Sequence, residues 1–212
     1  MAKAIFFDLD GTLTDSGEGI INCASYTLEQ FGLPVPSREE MRVFVGPPLR
    51  DTFVKFGVSP DQTDKAVEVY RSRYIPIGKF ENHPYPGIED LLTRLKNKGC
   101  RLFVATSKPE TTSIEILDKF GLSPYFEVIA GATMDGSRDE KAQVIAYLLG
   151  IVGKLDDTVM VGDTAFDVIG ASTHGIPTIG VSWGYGLVSD MVNAGAKAIA
   201  HSMEELYTLL TK

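Results

Sequence analysis

Cysteine and long apolar runs are scarce in this chain. Its 212 residues include only two cysteines, Cys23 and Cys100, which is too few for a disulfide framework and lacks the paired spacing of a zinc site. No apolar run approaches the roughly 20 residues that a membrane-spanning helix needs. The start, MAKAIFFDLD, lacks the long apolar core and small-residue cleavage site of a signal peptide. These absences predict a cytoplasmic protein without a membrane partner.

Positively charged residues are also few: the chain has 20 Lys and Arg against 28 Asp and Glu, which gives a net charge of −8. An acidic chain without a basic stripe is poorly suited to binding nucleic acid or anionic membranes. No G-x-G-x-x-G motif follows the first apolar run, which argues against a dinucleotide-binding protein. If such a protein acts on an anionic substrate, lysines, backbone amides or a metal ion must supply local positive charge.

The hydrophobic pattern divides the chain into two parts. Residues 4–9 form a short run that is apolar except at Asp8 and shows no polar alternation, which is typical of a strand that is buried on both faces. Residues 18–80 show helical periodicity, and beyond them short strands alternate with helices of roughly ten residues. This pattern predicts an α/β fold, a doubly wound parallel sheet formed by residues 1–15 and 84–212, with an all-helical domain inserted at 16–83. Such a sheet binds its ligands at the carboxyl ends of its strands.

Two carboxylates one residue apart, Asp8 and Asp10, lie where the chain leaves the first predicted strand, with Gly11 next. Like charges this close repel each other, so one carboxyl would titrate at raised pH unless a cation lies beside it. Gly11 permits a close backbone approach or an unusual turn. A solvated Asp-Gly turn is the plain alternative, and this stretch alone does not decide between the two.

Hydroxyl and ammonium groups follow two further strands. A strand is predicted over 101–105, and it is followed by Thr106, Ser107 and Lys108. These residues could form an anion-binding site at the start of a helix. Taken alone, this stretch favours ordinary helix capping by Thr or Ser. Lys141 lies near the start of a later helix, where a lysine is slightly unfavourable to the helix dipole, which invites a specific role. Surface lysines are common, however, and this stretch alone favours an ordinary solvated lysine.

Two more acids, Asp163 and Asp167, follow the apolar strand that ends near Val161. Their spacing places both on one face of a first helical turn. Dipole stabilisation, with Asp163 as the N-cap, is an equal alternative for this stretch alone. Combined with the other strand ends, these acids predict one site of hard oxygen ligands, which suits Mg²⁺.

In this order the four motifs resemble those of the haloacid dehalogenase-like hydrolase superfamily. The most specific elements are DLDGTLTD at 8–15 and VGDTAFD at 161–167, and Thr106 and Lys141 look like the family's hydroxyl and lysine motifs. The helical insert is similar to the family's cap domain. Two shorter stretches resemble the phosphoglycolate-phosphatase-like branch: GPPL at 46–49 and YPG at 85–87.

The resemblance implies phosphate-monoester hydrolysis. Asp8 would be the nucleophile and form an aspartyl phosphate, and Asp10 would protonate the leaving group and then activate water. Dehalogenases of the superfamily lack an acid at the position of Asp10, so this residue favours phosphate transfer. Thr106, Lys141 and the backbone amides of residues 9–12 would stabilise the transferring group.

The resemblance also implies a Mg²⁺ site. Its ligands would be the side chain of Asp8, the main-chain carbonyl of Asp10 and the side chain of Asp163. Asp167 would either bind the ion through water or orient Lys141.

Substrate contacts are expected from Thr106, Ser107, Lys108, Lys141 and Arg50, and either lysine could be the main phosphate ligand. The expected partner is a small-molecule phosphate ester, with phosphoglycolate, nucleoside monophosphates, sugar phosphates, pyrophosphate and phosphotyrosine all open. A monomer or small homo-oligomer is expected.

Two other functions stay open. A sugar-phosphate mutase of the same superfamily would carry the same motifs and return the phosphoryl group to a second substrate hydroxyl. A catalytically silent binding module could share the fold, because a fold does not fix a function. The intact pair of Asp8 and Asp10 counts against a silent module.

Overall fold

The computed structural model describes residues 3–153 and 155–212. It divides into two compact units. One comprises the chain up to Thr14 together with Pro84–Lys212, and the other is Asp15–His83. The first unit contains a parallel sheet with flanking helices and the second is built mainly of helices, so the predicted fold class is confirmed. That the helical unit acts as a cap stays a prediction.

The sheet of the first unit has six strands in the order β5-β4-β1-β6-β7-β8, and its neighbouring strands pair in parallel. The two remaining strands of the described chain, β2 and β3, form a separate two-stranded sheet. The strand bounds are β1 (Ala4–Phe7), β2 (Thr14–Asp15), β3 (His83–Pro84), β4 (Arg101–Pro109), β5 (Val128–Ala132), β6 (Thr158–Gly162), β7 (Thr178–Val181) and β8 (Ala198–Ala200).

Ten α-helices lie within the described residues, and none of them is both long and apolar enough to cross a membrane. The helices are α1 (Gly17–Gln30), α2 (Arg38–Met41), α3 (Leu49–Lys55), α4 (Thr63–Tyr74), α5 (Ile88–Asn97), α6 (Glu110–Lys119), α7 (Lys141–Val152), α8 (Ala165–Ser172), α9 (Val188–Asn193) and α10 (Met203–Thr211). Short 3₁₀ turns cover Arg42–Phe44, Pro60–Gln62, Gly78–Phe80 and Ser123–Tyr125.

Alternation along β1 builds a core on each face of the sheet. Ile5 and Phe7 belong to a cluster with residues of α5 and α10, whereas Ala4 and Phe6 belong to a second cluster with residues of α7 and α8. All four side chains are fully buried. A strand covered on both faces needs apolar residues at every position, which explains why this segment shows no polar alternation.

The strand order places the site. From β1 the chain adds β4 and then β5 on one side, and afterwards adds β6, β7 and β8 on the other. β1 therefore lies where the direction of winding reverses, the position at which open α/β sheets form their binding crevice. The carboxyl ends of β4, β1, β6 and β7 lie side by side there.

The helical unit has its own aromatic core. The ring centroids of Phe44 and Phe53 lie 5.0 Å apart, those of Phe53 and Tyr70 lie 6.3 Å apart, and Tyr70 stacks on Tyr74 at 5.2 Å. Ser37 caps α2 in a reciprocal capping box with the third residue of the helix. The burial of these rings stabilises the unit from within.

Replacement of Phe103 by alanine tests the core of the sheet. Phe103 is fully buried on β4 and packs edge-to-face against Phe6 with centroids 5.5 Å apart. Phe103→Ala should lower the free energy of unfolding by about 3–5 kcal/mol in urea denaturation, because it leaves a cavity that the surrounding side chains cannot fill. The control is Phe166→Ala on α8, where the ring is 52% exposed and the expected change is within about 0.5 kcal/mol. Equal losses for both variants would contradict this packing.

Candidate active site

Lys141 connects the ends of several strands. It is the first residue of α7, whose N-cap is Glu140. The buried Nζ of Lys141 lies 2.7 Å from Asp8 Oδ1 and 2.8 Å from Asp167 Oδ1, and it donates a hydrogen bond of 3.0 Å to the carbonyl of Ala105. One ammonium therefore joins the segment after β1, the middle of β4 and the first turn of α8. The sequence predicted Lys141 as a site residue, and the structure brings it into direct contact with the acids.

Two glycines make room for this arrangement. A Cβ atom at Gly170 of α8 would lie 2.7 Å from both Cβ and Cγ of Lys141, so the lysine stem lies directly against this helix. A Cβ atom at Gly162 would overlap the carboxyl group of Asp167. Sequence reasoning missed both roles, because a glycine signals a close approach only when its neighbour in space is known.

The segment before α7 is fixed by Arg138. Its guanidinium donates to Glu110 Oε2 at 2.9 Å and to the carbonyl of Gly131 at 2.9 Å, and it lies over the ring of Tyr147. These contacts tie the chain just ahead of Lys141 to α6, β5 and the middle of α7. Such a tether limits the positions that the lysine can adopt.

Three buried carboxylates, those of Asp8, Asp163 and Asp167, offer oxygen atoms that all lie within 4.8 Å of one another. Burial raises the pKa of Asp8 from 3.8 to about 6, even though Lys141 opposes the shift. Burial, reinforced by Asp167 and Asp8, raises the pKa of Asp163 from 3.8 to about 8. Burial alone would lower the pKa of Lys141, but the two adjacent carboxylates Asp167 and Asp8 hold it above its ordinary value. Three acids facing one ammonium leave an excess of negative charge, which a divalent cation would neutralise.

The contacts of Asp167 indicate a role different from that of Asp8 and Asp163. Asp167 Oδ1 pairs with Lys141, and Oδ2 accepts hydrogen bonds from the backbone N–H and the hydroxyl of Thr164, at 3.0 and 2.8 Å. This geometry favours the alternative in which Asp167 orients Lys141. Asp8 and Asp163 are then the acids best placed to bind a metal ion, and hard carboxylate oxygens fit Mg²⁺.

Asp163 does not cap α8, so the capping alternative is wrong. The N-cap is Thr164, which forms a capping box with Asp167. The carboxylate of Asp163 instead accepts hydrogen bonds from the hydroxyl of Thr12 at 3.2 Å and the backbone N–H of Tyr185 at 2.8 Å. Gly11 has φ of 79°, and a Cβ atom there would overlap this carboxylate.

The capping interpretation of Thr106 and Ser107 is also wrong. β4 continues past the predicted end at residue 105 because it pairs with β5 again at Pro109, after a register shift. Pro109 is the N-cap of α6 and makes no side-chain capping bond. The buried hydroxyl of Thr106 accepts a hydrogen bond from the backbone N–H of Lys108 at 3.2 Å, whereas Ser107 is exposed.

Asp10 pairs with the second candidate lysine. Lys108 Nζ donates to both carboxylate oxygens of Asp10, at 2.8 and 2.7 Å, in a largely buried ion pair. Lys141 instead contacts Asp8, so the two lysines hold the two acids of the first motif separately. Of the backbone amides expected to assist, those of Gly11 and Thr12 already donate within the turn, to the carbonyls of Thr14 and Leu9 respectively.

Arg50 belongs to the helical unit. Its guanidinium donates to Asp64 Oδ1 at 2.8 and 2.7 Å, and both side chains are exposed. A contact between Arg50 and a substrate stays a prediction.

The chain segment after β7 was missed by sequence reasoning. Trp183 donates its indole N–H to the carbonyl of Thr12 at 3.2 Å, and Tyr185 supplies the backbone hydrogen bond to Asp163. The available signal was a fifth strand end, where WGYG follows an apolar run. It was overlooked because the segment carries no charged side chain.

Comparison with known proteins gives consistent matches. The family model described as haloacid dehalogenase-like hydrolase matches residues 5–181. The tyrosine-protein kinase PtkA of Mycobacterium tuberculosis is 42% identical over 201 residues, covering 94% of this chain and 69% of that protein. A 5'-nucleotidase of Pseudomonas aeruginosa is 39% identical over 184 residues, covering 86% of this chain and 83% of that protein. The crystal structure of a predicted phosphatase from Clostridium acetobutylicum superposes with a TM-score of 0.94 at 41% identity, covering 99% of this chain and 98% of that one.

The matched region includes every strand end that supplies the acids and both lysines. The sequence resemblance, the sheet order and the acid cluster around Lys141 agree with this match. The chain therefore belongs to the haloacid dehalogenase-like hydrolase family.

Proposed function

We propose that this protein is a Mg²⁺-dependent phosphatase that hydrolyses a small-molecule phosphate monoester, phosphoglycolate-like or a nucleoside monophosphate, through an aspartyl phosphate on Asp8. The main support is the position of Asp8 at the end of the central strand, paired with the buried Lys141 and clustered with two further carboxylates. The similar proteins named as a 5'-nucleotidase and a phosphatase support phosphate chemistry.

Asp8 is the nucleophile in this proposal. Its carboxylate attacks phosphorus in line with the ester oxygen, so that a carboxylate–phosphorus bond forms as the phosphorus–oxygen bond breaks. Lys141 fixes one carboxylate oxygen and places an ammonium beside the phosphoryl group as charge develops there. The buried hydroxyl of Thr106 is a candidate donor to the same group.

Asp10 moves the protons. It gives a proton to the departing alkoxide, then takes one from the water that attacks the acyl phosphate. Because Lys108 holds both oxygens of Asp10 in an ion pair, Asp10 must leave this pair and take up a proton from solvent before it can donate to the departing alkoxide. Lys108 thereby keeps Asp10 in the site between turnovers.

Oxygen donors are available for a metal ion. The side chains of Asp8 and Asp163 and the main-chain carbonyl of Asp10 would hold Mg²⁺, while Asp167 orients Lys141. When bound, the ion supplies charge neutralisation for the phosphate dianion and for the carboxylates that face it.

Phosphate release is the direct test. A panel of phosphoglycolate, nucleoside monophosphates, sugar phosphates, pyrophosphate and phosphotyrosine is assayed with Mg²⁺ and with chelator. Wild type should release phosphate only with Mg²⁺, Asp8→Asn should release none, and Asp10→Asn should lose roughly 10²–10⁴-fold in kcat. The matched control is Asp118→Asn, an exposed acid of α6 that should retain full activity.

Two outcomes would overturn the proposal. Release that persists in Asp8→Asn would exclude Asp8 as the nucleophile. Absence of release from every compound, in a folded wild type with Mg²⁺, would exclude the plain phosphatase and favour a mutase or a binding module.

Metal-dependent stability should vary with pH. The pKa of Asp8 rises from 3.8 to about 6 in the folded chain, and that of Asp163 from 3.8 to about 8. Between pH 4 and 8 the folded state therefore binds more protons than the unfolded state, so the metal-free protein loses stability as pH rises through this window. Mg²⁺ competes with these protons, and its stabilising effect should be larger at pH 8 than at pH 5.

Thermal unfolding with Mg²⁺ and with chelator, at both pH values, measures this difference. Asp163→Asn removes both the group with the higher pKa and one of the proposed Mg²⁺ ligands, so the Mg²⁺-induced shift in Tm and its dependence on pH should both shrink. A Mg²⁺-induced shift in Tm that is as large at pH 5 as at pH 8 would contradict the prediction.

A further inference from the structure

The segment Trp183–Gly186 adds a fifth contribution to the site. It follows β7, which pairs with β6, so it emerges next to Asp163. Tyr185 donates its backbone N–H to Asp163 Oδ2 at 2.8 Å, and Thr12 donates its hydroxyl to Oδ1 at 3.2 Å. Both carboxylate oxygens of Asp163 are thus fixed by donors from neighbouring strand ends.

Trp183 connects the two donors to Asp163, because it contacts Thr12 and lies in the same segment as Tyr185. Its indole N–H donates to the main-chain carbonyl of Thr12 at 3.2 Å, and its ring packs edge-to-face against Tyr85 with centroids 6.4 Å apart. Thr12 is therefore bonded to Trp183 through its carbonyl and to Asp163 through its hydroxyl. A shift of the indole would therefore move Thr12, whose hydroxyl bonds to Oδ1 of Asp163.

Glycines allow the segment to come this close. A Cβ atom at Gly184 would overlap the side chain of Asp163, and one at Gly186 would overlap its carbonyl oxygen. Neither glycine has a left-handed backbone, so the requirement is for space and not for conformation. The backbone itself forms one wall around this acid.

We propose that Trp183–Gly186 positions Asp163 for a divalent cation and so sets the metal affinity of the site. The segment acts through Asp163 and Thr12, which makes its members positioning residues. This inference rests on the metal requirement of the proposed function and extends it to a part of the chain that carries no ligand side chain. Partners that orient metal ligands typically contribute 10–100-fold to affinity, which sets the expected size of the effect.

Binding of Mn²⁺, as a spectroscopic substitute for Mg²⁺, tests the proposal without substrate. The electron paramagnetic resonance signal of free Mn²⁺ is titrated with wild type, Gly184→Ala and Trp183→Phe. Gly184→Ala should weaken binding 10–100-fold by displacing the Asp163 carboxylate, and Trp183→Phe should weaken it about 10-fold by removing the indole donor. The matched control is Gly150→Ala, whose added methyl meets no atom within 4 Å and should leave affinity unchanged.

Two further measurements distinguish a role in metal binding from a purely structural role. The Tm of each variant in chelator reports folding without metal, and Trp183→Phe keeps the test available if Gly184→Ala does not fold. Loss of affinity in a folded variant, with turnover recovered at saturating metal, is the expected result. Unchanged Mn²⁺ affinity in folded Trp183→Phe and Gly184→Ala, beside normal binding by wild type, would overturn the inference and leave the proposed function intact.

Failure of the proposed function would give a result different from failure of this inference alone. If wild type binds no Mn²⁺, and Asp163→Asn behaves identically, the metal site itself is excluded and the inference with it. Phosphate release without any metal would identify the same failure independently.

Discussion

The burial of three carboxylates around one ammonium is the constraint on which the rest of this structure depends. Charges removed from water are costly unless they are paired and hydrogen-bonded. Lys141 compensates part of the charge by pairing with Asp8 and Asp167, while burial, reinforced by the charges of Asp167 and Asp8, still raises the pKa of Asp163. A divalent cation would neutralise the remaining negative charge, and an anionic phosphate ester could then enter this acidic site.

Close backbone packing keeps these charges together. The carboxyl ends of adjacent parallel strands deliver the acids, and glycines remove the side chains that would keep them apart. Gly170 admits the stem of Lys141, Gly11 and Gly184 border Asp163, and Gly162 borders Asp167. In the proposed mechanism this close packing holds the reacting groups in place before substrate arrives, which reduces the reorganisation that each turnover requires.

Sequence patterns predicted those parts of the site that carry charge on a strand end. Asp8 and Asp163 could be found because buried parallel strands deliver the residues that follow them to one edge of the sheet. Lys141 could be found because a lysine at a helix start is unfavourable to the helix dipole and matches the family's lysine motif. The alternative in which Thr106 caps α6 is wrong, since the renewed pairing of β4 with β5 is a long-range contact that local preferences do not encode. Trp183 escaped because it acts through an indole donor and backbone proximity.

Identification of the group that carries the phosphoryl intermediate tests the central claim most directly. Wild type is quenched in acid during turnover of the best substrate, and peptide mass spectrometry locates any added phosphoryl group. The account predicts a hydroxylamine-sensitive acyl phosphate on Asp8 that is absent when chelator is added before the substrate. A phosphoryl group on another residue, or turnover with no modification of Asp8 at any quench time, would contradict it.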